Sequence, residues 1–215
     1  MADLSDRRLT EQGMKIPDGA ASPILIIACG ALAREILALI KGQSWDHLTL
    51  TCLPANLHLY PEKITDAVTE AVQKHRADFD QIFIAYADCG TGGLLEKRCA
   101  ELGVQMIKGP HCYSFYEGND RFSTLAEDEI TAFYLTDFLV KQFDAFVWKP
   151  MGLDRHPELR DMYFGNYTKL VYQAQTDNPD LDQKARDIAA KMNLPLERRY
   201  TGYGDLATTL AGISH

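Results

Sequence analysis

Three cysteines of this sequence follow apolar runs at the points where those runs give way to turn or helix-start residues. Cys29 follows the first run, and Cys89 and Cys112 follow two later ones. Thiolates bind zinc and iron–sulfur clusters, and a helix N-terminus lowers the pKa of a thiol beside it. The carboxyl ends of parallel strands face one crevice. We therefore expect the three thiols to converge on one metal or iron–sulfur site.

Three further residues are candidates to complete this site. Cys52 ends another apolar run, His58 lies in the loop that follows this run, and His111 directly precedes Cys112. Because adjacent side chains seldom both reach one ion, His111 is a candidate ligand, a neighbour of the ligands or a proton carrier. A tetrahedral zinc ion needs a fourth ligand, which a histidine or water supplies. The sequence leaves the choice among these residues open.

A glycine-rich turn surrounds the second cysteine of the set. Asp88 offers a carboxylate for acid–base chemistry, and Gly90, Gly92 and Gly93 allow a ligand to approach the backbone closely. Gly30 has the same position after the first cysteine. The turn matches neither the phosphate loop that ends in Gly-Lys-Ser/Thr nor the Gly-x-Gly-x-x-Gly turn. We expect these glycines to line a cofactor site that is not a typical nucleotide site.

Ionisable residues also cluster in the second half of the chain. Arg155 and His156 are candidates to bind an anionic substrate, and capping or ion pairing within their own segment is the structural alternative. Tyr203 lies in a Gly-Tyr-Gly turn after the last predicted strand. Asp137 interrupts an apolar helix face and needs a partner if it is buried.

The elements that must position these residues alternate between strand and helix. Short apolar runs predict strands, and apolar residues at helical spacing predict the helices between them. The strands are at 24–28, 48–53, 81–87 and 104–107, and the helices at 31–41, 61–75 and 94–102. This alternation predicts an α/β fold, Rossmann-like, with a mainly parallel sheet flanked by helices.

The rest of the chain is predicted to be a helical C-terminal elaboration. Helices are expected at 131–146, 157–175, 180–192 and 205–210, with one strand at 196–201. We expect a flexible N-terminal arm over residues 1–22 and a single α/β domain over 23–215.

Composition narrows the classes of function. The 215 residues carry a net charge of −8 and no basic run, so neither nucleic acid nor an anionic membrane is an expected partner. The N-terminus has no apolar secretory segment, and no window approaches the ~20 apolar residues of a membrane span. We expect a cytoplasmic protein whose five cysteines are free thiols or metal ligands.

Several segments resemble an uncharacterised prokaryotic family that is described only as a domain of unknown function. They are residues 27–36, 53–58, 88–93, 109–113, 135–139 and 152–159, and the resemblance extends from residue 24 to 206. Members of that family are often encoded beside corrinoid-dependent methyltransferases and their corrinoid proteins, including split methionine synthases. The resemblance thus implies a corrinoid protein or methyltransferase as partner.

Joined to the thiols, this context suggests a metal or iron–sulfur protein of corrinoid-dependent methyl transfer, as in methionine synthesis or methylamine demethylation. Zinc activates thiols, and an iron–sulfur cluster supplies low-potential electrons for cobalt, so both metals remain open. One alternative is a non-catalytic module that binds a corrinoid protein or cofactor. Another is a metal-free thiol enzyme with Cys89 as nucleophile and His111 or Asp88 as base.

Overall fold

The computed structural model describes residues 5–16, 23–125 and 128–213, and the chain divides into two compact units. The first unit consists of Met1–Cys112 with Leu206–His215, and the second of Tyr113–Asp205. Each unit contains a parallel β-sheet with helices, which confirms the predicted α/β class. In the described ranges, no helix is long and apolar enough to cross a membrane.

The first unit is built on a four-stranded parallel sheet. Its strands are β1 (Ile24–Cys29), β2 (Leu48–Leu53), β3 (Gln81–Ala85) and β4 (Gln105–Met106). All four strands match the sequence prediction, although β3 and β4 are shorter than expected. Every residue of β1 after Ile24 is buried, as in a central strand that is covered on both faces.

Helices connect these strands. They are α1 (Asp6–Glu11), α2 (Ala33–Gln43), α3 (Ile64–His75) and α4 (Leu94–Leu102), and 3-10 turns lie at Gly30–Leu32, Ala55–Leu59 and Pro61–Lys63. The helix α4 ends where predicted, because Gly103 adopts a φ of +67° and its N–H bonds back to the carbonyl of Ala100.

The strand order β2-β1-β3-β4 determines where a ligand site can form. The chain moves from β1 outward to β2, then returns past β1 to β3 and continues to β4. With right-handed crossovers, α2 lies on one face of the sheet and α3 and α4 on the other. The direction therefore reverses between β1 and β3, and the crevice beyond their carboxyl ends is the usual binding site of such sheets.

Part of the predicted flexible arm is ordered structure. Leu9 of α1 is fully buried, and Met14 forms an antiparallel bridge with Cys52 of β2. Glycine at position 30 allows α1 to pack closely against the end of β1, because a Cβ there would lie 2.3 Å from the carbonyl oxygen of Leu9. Residues 1–4 and 17–22 of the arm lie outside the described residues.

The second unit contains a three-stranded parallel sheet of order β5-β6-β7. Its strands are β5 (Ala132–Thr136), β6 (Lys169–Ala174) and β7 (Leu196–Tyr200). The helices of this half of the chain are α5 (Cys112–Glu117), α6 (Asn119–Leu125), α7 (Asp137–Phe143), α8 (Arg160–Phe164), α9 (Pro179–Met192) and α10 (Gly204–Ile213). A π-turn follows at Asp144–Trp148 and a 3-10 turn at Pro157–Leu159.

Two helix predictions in this half of the chain were wrong. The segment 131–146 begins with β5 and becomes helical only at Asp137, and the segment 157–175 contains the short helix α8 followed by β6. A short apolar run fits the periodicity of a helix and that of a strand. The elements that pack against the run therefore decide which of the two forms. Here Leu135, Leu170 and Tyr172 pack into a core with α7 and α9, and the alternate residues face the other side of the sheet.

Candidate metal centre

The predicted cysteines lie at the carboxyl edge of the first sheet. Cys29 is the last residue of β1, and Cys89 lies in the turn that follows β3, so both belong to strands that flank the direction change. Cys112 begins α5. The N–H of Cys89 donates to the carbonyl of Pro110 at 3.0 Å, which brings the segment before Cys112 alongside the Cys89 turn.

Two of the thiols and one imidazole form a compact group. The Sγ atoms of Cys89 and Cys112 are 3.3 Å apart, and Sγ of Cys112 is 3.7 Å from Nε2 of His58. One ligand atom from each of these residues lies within 4.8 Å of the others. His58 reaches the group from the 3-10 turn Ala55–Leu59, which follows β2. We call His58, Cys89 and Cys112 the His–Cys–Cys group.

Cys29 contacts the other side of the same imidazole. Its Sγ lies 3.5 Å from Nδ1 of His58 and accepts a hydrogen bond from the N–H of Ala31 at 3.3 Å. Cys29 is not a member of the His–Cys–Cys group. The three predicted cysteines therefore do meet around one residue, but Cys29 faces Nδ1 of its ring whereas Cys112 faces Nε2.

The close packing of these groups changes their acidity. The hydrogen bond from Cys112 outweighs burial and, with the nearby His58, lowers the pKa of Cys89 to about 5. The same hydrogen bond and burial raise the pKa of Cys112 well above its usual value. Burial disfavours a charged imidazole, but Cys29 and Cys89 outweigh it and raise the pKa of His58. Both pKa shifts are in the direction that favours the charged forms, a thiolate at Cys89 and an imidazolium at His58.

A buried phenol adjoins the group, and sequence reasoning missed it. Tyr86 is fully buried, and its ring stacks on that of His58 with centroids 6.1 Å apart and an interplanar angle of 15°. Among the described residues its hydroxyl has no hydrogen-bond partner. Leaving such a group unsatisfied costs about 1–3 kcal/mol, which suggests a ligand or water at this position. A tyrosine directly after a buried apolar strand was the available signal.

The carboxylate of Asp88 organises the turn that carries Cys89. It accepts hydrogen bonds from Thr91 Oγ1 at 2.9 Å, from the N–H of Gly93 at 2.6 Å and from that of Gly92 at 3.2 Å. These bonds outweigh its partial burial and lower its pKa. Gly90, Gly92 and Gly93 all adopt positive φ, and Cys89 itself has a φ of +48°. The predicted acid–base residue thus has a visible role in shaping the turn, and the predicted cofactor glycines make that shape possible.

The other candidates of the first unit are not in the His–Cys–Cys group. Cys52 is buried in β2, where burial, Cys29 and Glu35 raise its pKa. His111 is half-buried beside Cys112. Gly30 allows the close approach of α1 to the end of β1. Of the residues whose role the sequence left open, the structure brings His58 to the thiols.

The remaining candidates belong to the second unit. Arg155 and His156 are exposed and lie near acids of their own segment, Arg155 with Asp154 at 3.9 Å and His156 with Glu158 at 3.2 Å. Tyr203 is half-buried in the turn before α10. The ion pairs fit the structural alternative that the sequence offered for this segment.

Fold and site together define an α/β protein with a cysteine- and histidine-rich centre at the direction change of a parallel sheet. A family model described as "Protein of unknown function (DUF1638)" matches residues 52–210, and the chain belongs to this family. The matched range contains His58, Cys89 and Cys112 but not Cys29. Neither the curated proteins nor the solved structures include a match to this chain.

Proposed function

We propose that the protein is a metalloprotein of corrinoid-dependent methyl transfer whose His–Cys–Cys group binds one zinc-type divalent ion. The single observation that carries the metal proposal is the convergence of three ligand atoms within 4.8 Å at the direction change of the sheet. The proposed methyl-transfer context of the protein rests on the family resemblance described above, which implies a corrinoid protein or methyltransferase as partner.

The distances favour ligands that share one metal atom over a four-iron cluster. Bonds of ~2.3 Å to sulfur and ~2.0 Å to nitrogen at tetrahedral angles separate two thiolates by about 3.8 Å and a thiolate from an imidazole nitrogen by about 3.5 Å. The corresponding distances here are 3.3 Å for Cys89 to Cys112 and 3.7 Å for Cys112 to His58. In a four-iron cluster each iron binds one cysteine, which spreads the cysteine sulfur atoms further apart.

Three protein ligands are the number found in catalytic zinc sites, where the remaining position accepts water or substrate. When bound, such an ion lowers the pKa of a coordinated thiol or water. A thiol that accepts a methyl group is therefore the substrate class we propose. The chain's own contribution is to hold the ligands: Sγ of Cys29 lies 3.5 Å from Nδ1 of His58, and with the ring proton on Nδ1 it would accept a hydrogen bond and leave Nε2 for the metal.

Elemental analysis of protein purified without air tests the metal proposal. About one zinc-type ion per chain is expected, and it should be lost in His58→Gln, Cys89→Ser and Cys112→Ser. Cys99→Ser is the matched control, because Cys99 is a buried cysteine of α4 outside the group. Metal retained in all three variants, or iron with acid-labile sulfide in the wild type, would overturn the single-ion proposal.

The methyl-transfer context needs its own test. The tagged chain is isolated from its native cells, and cobalt and corrinoid absorbance are measured in the eluate. Corrinoid that accompanies the wild type but not a tagged unrelated protein supports the context, and its absence contradicts it. Corrinoid that also accompanies the metal-free Cys89→Ser variant would favour the accessory module over a metal-dependent enzyme.

One observation favours a second candidate, the metal-free thiol enzyme. The pKa of Cys89 is lowered to about 5, as expected of a nucleophilic thiolate. Asp88 is engaged within its own turn, and His58 is the proposed partner that stabilises the Cys89 thiolate. Iodoacetamide that labels no cysteine preferentially in metal-free protein would contradict this candidate.

A further inference from the structure

The two thiols of the His–Cys–Cys group are close enough to react with each other. Cys89 and Cys112 are both free, and their Sγ atoms are 3.3 Å apart. A disulfide bond is ~2.05 Å long, so the sulfurs must approach by only about 1.2 Å. The turn around Cys89 contains glycines at positive φ, and Cys112 begins a helix after a loop.

We propose that Cys89 and Cys112 form a reversible disulfide that makes this site sensitive to oxidation. The oxidant is a low-molecular-weight disulfide such as oxidised glutathione. One thiolate of the pair attacks a sulfur of the oxidant, whose S–S bond breaks and releases one thiol. The other thiolate then attacks the mixed disulfide and releases the second thiol. The protein loses two protons and two electrons, and the oxidant gains them.

The other cysteines are less suited to this reaction. Sγ of Cys29 contacts the imidazole of His58, and Cys29 is fully buried. Cys52 is held in β2 by backbone hydrogen bonds to Met14 in both directions, at 2.8 Å each. Cys99 is buried in the middle of α4. The geometry therefore points to one particular pair among the five thiols.

Oxidation and metal binding should exclude each other at this site. This part of the inference rests on the proposed metal function, because the same two sulfurs serve as ligands there. A thiolate binds a metal ion, whereas a sulfur in a disulfide carries no negative charge and does not serve as such a ligand. Oxidation would therefore release the ion, and bound metal would protect the thiols.

The test uses the full chain, first reduced and freed of metal, then exposed to oxidised glutathione. Free thiols should fall from five to three, and peptide mapping should find Cys89 joined to Cys112. Cys99→Ser should form the same crosslink, whereas Cys112→Ser should stop at a glutathione adduct. Circular dichroism of each variant confirms that it is folded. Zinc-loaded wild type should keep all five cysteines reduced and form no crosslink.

The outcomes separate the two proposals. If five thiols persist in metal-free protein, or if another pair is joined, the disulfide is overturned even when zinc binds. If the Cys89–Cys112 crosslink forms but zinc neither binds nor protects, the disulfide stands and the metal centre falls. Treatment with a reducing thiol should return the crosslinked protein to five free thiols. A crosslink that is not reduced would contradict the proposed reversibility.

Discussion

Sγ of Cys29 lies 3.5 Å from Nδ1 of His58, on the opposite side of the ring from the nitrogen that faces Cys112. In the proposed metal centre, this relationship gives Cys29 the role of a positioning residue for the histidine. A group that accepts a hydrogen bond from a metal-binding imidazole fixes its orientation and increases its basicity.

We accordingly expect Cys29→Ala to retain the metal but to bind it roughly 10–100-fold more weakly, as is typical when such a partner is lost. Cys29→Asp, which restores an acceptor, should recover part of the loss. Competition with a chromophoric zinc chelator measures the affinities. Complete loss of metal in Cys29→Ala, equal to that in Cys89→Ser, would make Cys29 a ligand.

Cys89 should be the most acidic thiol of the metal-free protein. Its alkylation rate should follow thiolate formation, rising through an apparent pKa of about 5 and levelling off at neutral pH. Cys112→Ala removes the hydrogen bond that is the main cause of this shift, so the midpoint should move to higher pH. Mass spectrometry of peptides alkylated briefly at each pH gives the profile.

Cys99 provides the comparison within the same chain. Burial raises its pKa to about 11, so it should stay unlabelled at neutral pH until the protein unfolds. A Cys89 profile that resembles that of Cys99 would rule out the activated thiolate.

The turn before α4 should depend on the carboxylate of Asp88. Asp88→Ala removes acceptors for Thr91, Gly92 and Gly93 and should lower the free energy of unfolding by about 1–2 kcal/mol. Asp88→Asn keeps one acceptor oxygen and should lose less. Urea denaturation measures both variants. A fully stable Asp88→Ala that has lost its activity would instead indicate an acid–base role.

Gly30 should be intolerant of any side chain. Gly30→Ala forces a Cβ to within 2.3 Å of the Leu9 carbonyl and should lower the free energy of unfolding by about 2 kcal/mol. Gly42 is the matched control, because a Cβ there meets nothing within 4 Å and α2 should gain stability from alanine. Thermal unfolding of the two variants compares them directly, and equal midpoints would contradict the packing of α1 on Gly30.

The second unit should lose stability in acid through Glu129. Hydrogen bonds from Arg199 are the main cause that lowers its pKa from 4.5 to about 2, and Lys169 adds a further bond at 2.7 Å. The contribution of the ionised Glu129 carboxyl to the free energy of unfolding is complete above pH 4.5, where this carboxyl is also ionised in the unfolded chain. It is lost as the pH falls toward 2.

Glu129→Gln should therefore be less stable than the wild type by about 3 kcal/mol at neutral pH, with the difference shrinking as the pH falls below 4.5. Urea denaturation as a function of pH checks this. A difference that stays constant from pH 7 down to acid would show that the charge of Glu129 has no part in stability.

The sequence alone determined the first sheet and two members of the His–Cys–Cys group. The runs that form β1, β2 and β3 are short and apolar, and the segments between them have apolar residues at helical spacing. This alternation of strand and helix predicts a parallel sheet. Because parallel strands share one carboxyl edge, Cys89 and Cys112 could be expected to meet there.

Only the tertiary structure decided how the remaining residues divide their roles. Sequence position put Cys29 at the correct edge, but its contact with the far nitrogen of His58 depends on the path of the 3-10 turn Ala55–Leu59. The hydrogen bonds that engage Asp88 and the burial of Tyr86 are likewise set by packing. In the second unit, β5 and β6 are strands because neighbouring strands pair with them, and a short apolar run cannot encode that choice by its own periodicity.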